Sequence, residues 1–113
     1  MKCGIVCTRG YVEWGRTLKA EKESGFNITE IISWPRDRMV DDLRELASRR
    51  NVQIKIFYTN WELHGEDAPA ARDKRFLDYI DCLIAIWDYK SDDIRNLLSK
   101  AFANNIPTYV YII

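Results

Sequence analysis

Hydrophobic residues along the chain fall into short β-rich runs that alternate with longer stretches of helical period. Turn residues such as Ser24-Gly25 and Asn104-Asn105 separate them, and the helical stretches repeat apolar side chains every three or four positions. This alternation is typical of βαβ units built around a parallel sheet. It predicts strands at about 2–8, 28–33, 52–58, 82–87 and 108–112, with a helix in each connection.

The start and stop signals of the helices support this division. Ser91 is in position to cap the fourth helix, and Asp67 is in position to cap the third. Asn51 is a suitable left-handed stop for the second. In the first helix, the residues predicted to face the protein core are Tyr11, Trp14 and Leu18. In the fourth helix they are Ile94, Leu97, Leu98, Ala101 and Phe102.

Right-handed crossovers convert this order of elements into a Rossmann-like, doubly wound α/β fold. We expect a five-stranded parallel sheet of order 3-2-1-4-5, with helices on both faces. The chain then crosses over between strands three and four, so that the carboxyl ends of strands one and four lie side by side. Ligands of open α/β sheets bind in such a crevice. The loops that line it are 7–11, 34–38, 59–67 and 87–91.

Composition narrows the class of protein. A chain of 113 residues with 47% hydrophobic content is long enough for one domain, residues 1–113. Seventeen basic and seventeen acidic residues are interleaved, which argues against duplex DNA or an anionic membrane as the main partner. The apolar runs are of strand length and the first residues lack the layout of a signal peptide, so we expect a cytoplasmic protein.

The three cysteines, Cys3, Cys7 and Cys82, lie on apolar strand-like runs and are not spaced as metal ligands. They are expected to be buried, reduced thiols. Because His64 is the only histidine, a zinc site would have to gather thiolates and carboxylates from separate strands. We therefore expect neither a metal nor a cofactor.

Two segments carry a resemblance to a known family. WELHGEDAPAARDKRFL at 61–77, followed by CLIAIWD at 82–88, resembles the pattern W-x-x-Y-G-x-x-A-G-P-x-R-N-x-x-M-L…A-D-x-L-I-A-F-W-D. That pattern belongs to the YspA-like branch of the SLOG superfamily, small Rossmann-like domains associated with nucleotide-derived ligands. The likeness covers nearly the whole chain and implies the same fold and class of ligand.

The glycine-bearing loops of that family are changed in this chain. The family has G-S-R, S-G-G-A-x-G-A-D and W-D-G-x-S-x-G-T after strands one, two and four, where glycines let backbone N–H groups close around a phosphate. Here Trp34 and Pro35 add bulk, and Asp92 and Asp93 bring negative charge. We expect the phosphate-binding site of the family to be lost or moved in this chain. The P-G-G-x-G-T-x-x-E motif of the cytokinin-activating phosphoribohydrolases is also missing.

Aromatic and basic residues remain as candidate ligand contacts. Trp34, Trp61 and Trp87 lie at or just after the carboxyl ends of strands, where an indole can stack on a base. The alternative is that each of them closes the crevice as a core residue. Arg72 keeps the arginine of the family segment and, with Arg9, can hold a carboxylate or phosphate. The alternative for Arg72 is a structural ion pair with one of three carboxylates, Asp67, Asp73 or Asp88.

His64 and Cys7 are the candidates for chemistry. His64 takes the family's tyrosine position and can hydrogen-bond a ligand or act as acid or base, the alternative being a solvated loop histidine. Cys7 is either a nucleophile or, as we favour, a packed core thiol. The predicted ligand-binding residues are Cys7, Thr8, Arg9, Trp34, Trp61, His64, Arg72, Trp87, Asp88 and Ser91, and none of them is assigned as catalytic.

Three functions fit this sequence. The leading hypothesis is non-catalytic binding, by a sensor or a sequestering protein, of a nucleotide-derived small molecule, and the resemblance extends this to a phage accessory protein that captures a signalling nucleotide. The first alternative is a nucleotide N-glycosidic bond hydrolase or transferase using Asp88 with Asp37 or Asp41. The second is a ligand-free oligomeric scaffold. The apolar residues 109–113 also lead us to expect a homo-oligomer.

Overall fold

The computed structural model of the chain describes residues 1–8, 14–34 and 39–113. These ranges hold a βαβ series with one extra turn of helix. The strands are β1 (Lys2–Cys7), β2 (Glu30–Ser33), β3 (Gln53–Ile56), β4 (Cys82–Trp87) and β5 (Thr108–Ile112). The helices are α1 (Trp14–Ser24), α2 (Met39–Arg50), α3 (Trp61–His64), α4 (Ala68–Tyr79) and α5 (Asp92–Ala103), with a 3₁₀ turn at Gly65–Asp67.

The five strands form one parallel sheet in the order β3-β2-β1-β4-β5, which confirms the predicted doubly wound α/β fold. β1 pairs with β2 on one side and with β4 on the other, in a register that places Cys3 opposite Cys82 and Cys7 opposite Ile86. The carboxyl ends of β1 and β4 are therefore adjacent, as the crossover between β3 and β4 requires.

The two central strands are apolar on both faces because helices cover the sheet from both sides. β4 is buried along its whole length and β1 along all but its first residue. The core also takes in Leu43, Leu46 and Ala47 of α2, and Phe76 and Leu77 of α4. Among the described residues, no helix combines the length and apolar character that a membrane span needs.

Several details differ from the sequence prediction. The connection after β3 contains α3 and the 3₁₀ turn, where we predicted a loop, and both β2 and β3 are shorter than expected. Leu18 and Phe102 are exposed although they were placed in the core. On α5 the buried stripe of Ile94, Leu97, Leu98 and Ala101 is already complete, so Phe102 lies beyond its edge. Tyr11 and Pro35 are outside the described residues.

The helix stops agree with the sequence. Asn51 follows α2 with a φ of 54°, and Asn105 follows α5 with a φ of 57°. Asparagine tolerates this left-handed conformation better than most residues. Both stops end a helix shortly before the strand that follows it, and the strand order places these two strands, β3 and β5, at the edges of the sheet.

Candidate functional site

Thr8 and Asp88 join the carboxyl ends of β1 and β4. The Thr8 hydroxyl accepts a hydrogen bond from the Asp88 backbone N–H at 2.8 Å and donates one to Asp88 Oδ1 at 3.2 Å. The same Oδ1 accepts the backbone N–H groups of Lys90 and Ser91, each at 2.8 Å. Asp88 thus organises the loop that enters α5. Ser91 occupies the predicted N-cap position, but its side chain makes no capping bond.

These contacts set the charge state of Asp88. Burial would raise the pKa of its carboxyl group, but the N–H groups of Lys90 and Ser91 and the hydroxyls of Ser91 and Thr8 oppose this and lower the pKa to about 2. The carboxylate is therefore ionised near neutral pH. It can accept hydrogen bonds from a ligand, but it has no proton to deliver to a leaving group.

Trp87, at the end of β4, is covered by its neighbours. The Tyr89 ring stacks on the indole with centroids 4.6 Å apart, and the Arg95 guanidinium carbon lies 5.6 Å from the indole centroid. The indole N–H donates to the Ser91 carbonyl at 3.1 Å. Trp87 is only 8% exposed whereas Tyr89 is 64% exposed. The aromatic surface that this loop exposes to solvent therefore belongs to Tyr89.

Tyr89 also has an unusual backbone conformation, with a φ of 68°. A bulky side chain rarely adopts this left-handed region, which glycine enters freely. Tyr89 occupies the place of the glycine in the W-D-G pattern, so the loop keeps a glycine-like backbone with an aromatic ring added. Strain of this kind is often retained where a loop binds or recognises something.

Trp34, directly after β2, is a core residue with 2% exposure. Phe76 packs against it with ring centroids 5.8 Å apart, and the Arg72 guanidinium carbon lies 4.3 Å from its centroid. These side chains cover the face that we expected to stack on a base. The Trp34 indole N–H has no hydrogen-bond partner in the structure as described.

Arg72 lies in a buried ionic network at the start of α4. Its Nη2 donates to Asp73 Oδ1 at 3.0 Å and its Nη1 to Thr59 Oγ1 at 3.1 Å. Lys100 of α5 approaches the other oxygen of Asp73 at 3.5 Å. The structural ion pair considered from the sequence is thus present, with Asp73 as the partner. Because Arg72 stacks on Trp34 and pairs with Asp73, its side chain is held in one position by contacts within the protein.

The connection after β3 presents an exposed tryptophan. Asn60 caps α3 through its side-chain oxygen, which accepts the Leu63 N–H at 3.0 Å. The cap holds Trp61 in the first turn of α3, where its side chain is 60% exposed. His64 ends the same helix and is partly buried. Trp61 is the member of the predicted tryptophan set whose indole is open to solvent.

The remaining candidates divide between the core and the undescribed loops. Cys7 is fully buried, and burial raises the pKa of its thiol to about 12, so the thiol stays protonated and packed. Cys3 and Cys82 are also buried free thiols, as predicted. Arg9 and Asp37 lie outside the described residues. Within the described ranges, no group of three His, Cys, Asp or Glu side chains is arranged to hold a metal ion.

Three residues that shape this edge of the sheet were not among the predicted ligand-binding residues, namely Thr59, Asp73 and Tyr89. Thr59 and Asp73 matter only through Arg72, which they hold in place. Asp73 was considered only as one of three possible partners. Tyr89 carried a usable signal, because it replaces a glycine of the family pattern.

A cavity of about 440 Å³ lies at the opposite, amino-terminal edge of the sheet. Two of its charged groups, Glu21 and Arg50, form an ion pair with each other. These two charges therefore already have a partner within the protein. The carboxyl-terminal edge, in contrast, combines exposed aromatic rings with polar groups. The lining residues are Leu18, Glu21, Lys22, Gly25, Phe26, Asn27 and Arg50.

Comparison with known proteins adds no relative: no family model matches the chain, and neither a curated protein nor a solved structure matches it significantly. The resemblance to the SLOG superfamily therefore stays a prediction from the sequence. The fold and the adjacency of the carboxyl ends of β1 and β4 are shown by the structure itself.

Proposed function

We propose that the protein binds a nucleotide-derived small molecule at the carboxyl-terminal edge of the sheet and does not turn it over. The observation that carries this proposal is the exposure of two aromatic rings there, Trp61 at 60% and Tyr89 at 64%. Trp61 follows β3 and Tyr89 follows β4, two strands that lie on opposite sides of β1 in the sheet. A ring exposed in this way offers a face on which a base can stack.

Polar groups at the carboxyl-terminal edge of the sheet supply recognition of a second kind. Arg72 is held by Thr59 and Asp73, and its side chain is 15% exposed, so part of it is accessible to solvent. Thr8 and Asp88 define the floor between β1 and β4. A pre-ordered arginine loses little conformational entropy when it meets a carboxylate or phosphate. Arg9 remains a predicted contact.

Two features favour binding over catalysis. A hydrolase of the N-glycosidic bond needs two groups whose pKa values are separated, one to give a proton and one to take it. Asp88 is ionised, with a pKa of about 2, and its Oδ1 is engaged by the loop. Cys7 is buried and protonated. Neither is arranged to act on a substrate.

The biological setting follows from the same proposal. A protein that holds a nucleotide without consuming it acts as a sensor or as a sequestering agent, and by resemblance this extends to a phage protein that captures a signalling nucleotide. We take it to be cytoplasmic, where its three free cysteines stay reduced.

Mass spectrometry of small molecules released from the purified protein tests this proposal first. An intact nucleotide supports binding, a cleaved product favours the enzyme, and an empty protein that binds nothing from a nucleotide panel overturns the proposal. Isothermal titration then compares Trp61→Ala with Leu63→Ala, a control two residues along α3 and also exposed. Trp61→Ala should weaken binding about tenfold to a hundredfold, since a stacking contact contributes ~1–3 kcal/mol, whereas Leu63→Ala should bind like the parent.

A further inference from the structure

The two edges of the sheet differ in how they are protected against pairing with another chain. β3 has four residues and carries Lys55, and short, charged edges resist association. β5 has five residues, Thr-Tyr-Val-Tyr-Ile, without a charge, and the apolar Ile113 follows it. In the described part of the chain β5 pairs with β4 alone, and Ile112 is 51% exposed. β5 is therefore an open edge without the usual protection.

The hydrogen bonds of β5 show which of its amide groups are free to pair. The Pro107 carbonyl accepts the Leu83 N–H at 2.9 Å, and the Ile113 N–H donates to the Trp87 carbonyl at 2.9 Å. Successive residues of a strand point their backbone groups in opposite directions. The odd-numbered residues 107–113 thus face β4, while Thr108, Val110 and Ile112 direct their N–H and C=O groups to the open edge.

We propose that β5 pairs antiparallel with β5 of a second copy of this chain, across a two-fold axis at Val110. In this register Val110 lies opposite Val110 of the second copy, and Thr108 lies opposite Ile112 of that copy. All three outward residues are then matched, which forms about six backbone hydrogen bonds. Tyr109 lies opposite Tyr111 of the second copy, a pairing of aromatic side chains that stabilises antiparallel strands.

Charges on α1 are complementary in the same register. The Tyr109 hydroxyl donates to the Glu23 carboxylate, and Lys19 Nζ lies 6.0 Å from the Tyr111 ring centroid. Since Tyr109 meets Tyr111 of the second copy, Glu23 comes next to Lys19 of that copy, and the two-fold axis repeats the contact. Within one chain Lys19 Nζ lies 4.0 Å from Glu23 Oε1, and the two side chains are 63% and 39% exposed, so this ion pair is open on its outer side to the opposite charges of the second copy. A different register would lose both contacts, and this selects the one proposed.

Sedimentation equilibrium tests the pairing of β5 with a second copy. It compares the parent protein with two variants, Val110→Pro and Val110→Thr. The Val110 N–H points away from β4, so proline there removes no hydrogen bond within the sheet and is tolerated at such edges. We expect the parent and Val110→Thr to dimerise at micromolar concentration. Val110→Pro should keep the parent's circular dichroism and sediment as a 13.3 kDa monomer. Its dimer dissociation constant should rise by at least about a hundredfold.

Charge variants on α1 test the pairing with the sequence of β5 unchanged. Lys19→Glu and Glu23→Lys should each weaken the homodimer by about tenfold, because two attractions become two repulsions. A mixture of the two variants should form a heterodimer in preference to either homodimer, since opposite charges then meet at both contacts. A parent that stays monomeric at 100 µM (about a hundred times the expected constant), a dimer that survives Val110→Pro, or a mixture without heterodimer preference would each overturn the proposal.

Discussion

Gly4 lies in the middle of β1, where the Phe76 ring of α4 rests on the sheet. A Cβ at Gly4 would be 2.6 Å from Phe76 Cζ and 3.1 Å from Leu83 Cδ1. Phe76 is fully buried and its ring packs against Trp34 and Phe57. Gly4→Ala should therefore lower the free energy of unfolding by about 1–3 kcal/mol, the usual cost of overpacking. Urea denaturation measures this change.

The same position offers an internal control. In a Phe76→Leu background the ring that meets the new methyl group is gone, although that variant is itself less stable because of the space it leaves. In that background Gly4→Ala should lower the free energy of unfolding by less than half as much as it does in the parent. Equal costs in the two backgrounds would show that the clash with Phe76 is not the cause, and that the alanine is resisted by the strand itself.

Asp88 makes the stability of the protein depend on pH in a defined window. Its folded pKa of about 2 lies below the value of about 3.9 for an unstructured chain. Its contribution is therefore complete above pH 4 and is lost as the pH falls toward 2. Thermal melts from pH 6 to pH 2 should show Asp88→Asn melting below the parent at pH 6, with the gap closing as the pH falls. A gap that does not change with pH would mean that the carboxylate charge is not what stabilises the loop.

At the scale of elements, the loop from β4 to α5 combines a strained backbone with a stabilising ring. Tyr89→Ala removes the ring from Trp87 but keeps a side chain in the left-handed conformation, while Tyr89→Gly removes both. Tyr89→Gly should therefore be more stable than Tyr89→Ala by about 1 kcal/mol. At the neighbouring exposed Lys90 the order should reverse, because glycine there only adds freedom to the unfolded chain. Thermal melts of the four variants check both orders of stability. A higher Tm for Tyr89→Ala than for Tyr89→Gly would contradict the backbone strain at this position.

The elements also show what a sequence can predict and what it cannot. β4 is predictable because a continuous apolar run needs helices on both sides, and α5 is predictable because its apolar positions repeat with helical period. The burial of Trp34 and Trp87 is not predictable in this way. It depends on Arg72 and Tyr89, whose placement is set by the packing of other elements. The same limit applies to α3, which is too short for a periodic pattern.

At the scale of the whole molecule, the proposed ligand site and the proposed dimer edge are one strand apart. Trp87 of β4 is in register with Ile112 of β5, and the Ile113 N–H donates to the Trp87 carbonyl. β5 therefore supports the strand from which the Asp88 loop begins. Pairing of β5 with a second copy would stabilise β5 from its outer side, while leaving the carboxyl ends of β1 and β4 uncovered.

A dimer of this kind makes thermal stability depend on protein concentration. If folding and pairing are linked, a tenfold rise in concentration adds about 1.4 kcal/mol per dimer, or ~0.7 kcal/mol per chain. For a chain of 113 residues this should raise the Tm by about 2–5 °C. Scanning calorimetry of the parent between low and high micromolar concentration should show this rise for each tenfold step. Val110→Pro should melt at one temperature throughout, because a monomer gains nothing from its neighbours. A parent Tm that is equally independent of concentration would show that β5 stays unpaired in the folded protein.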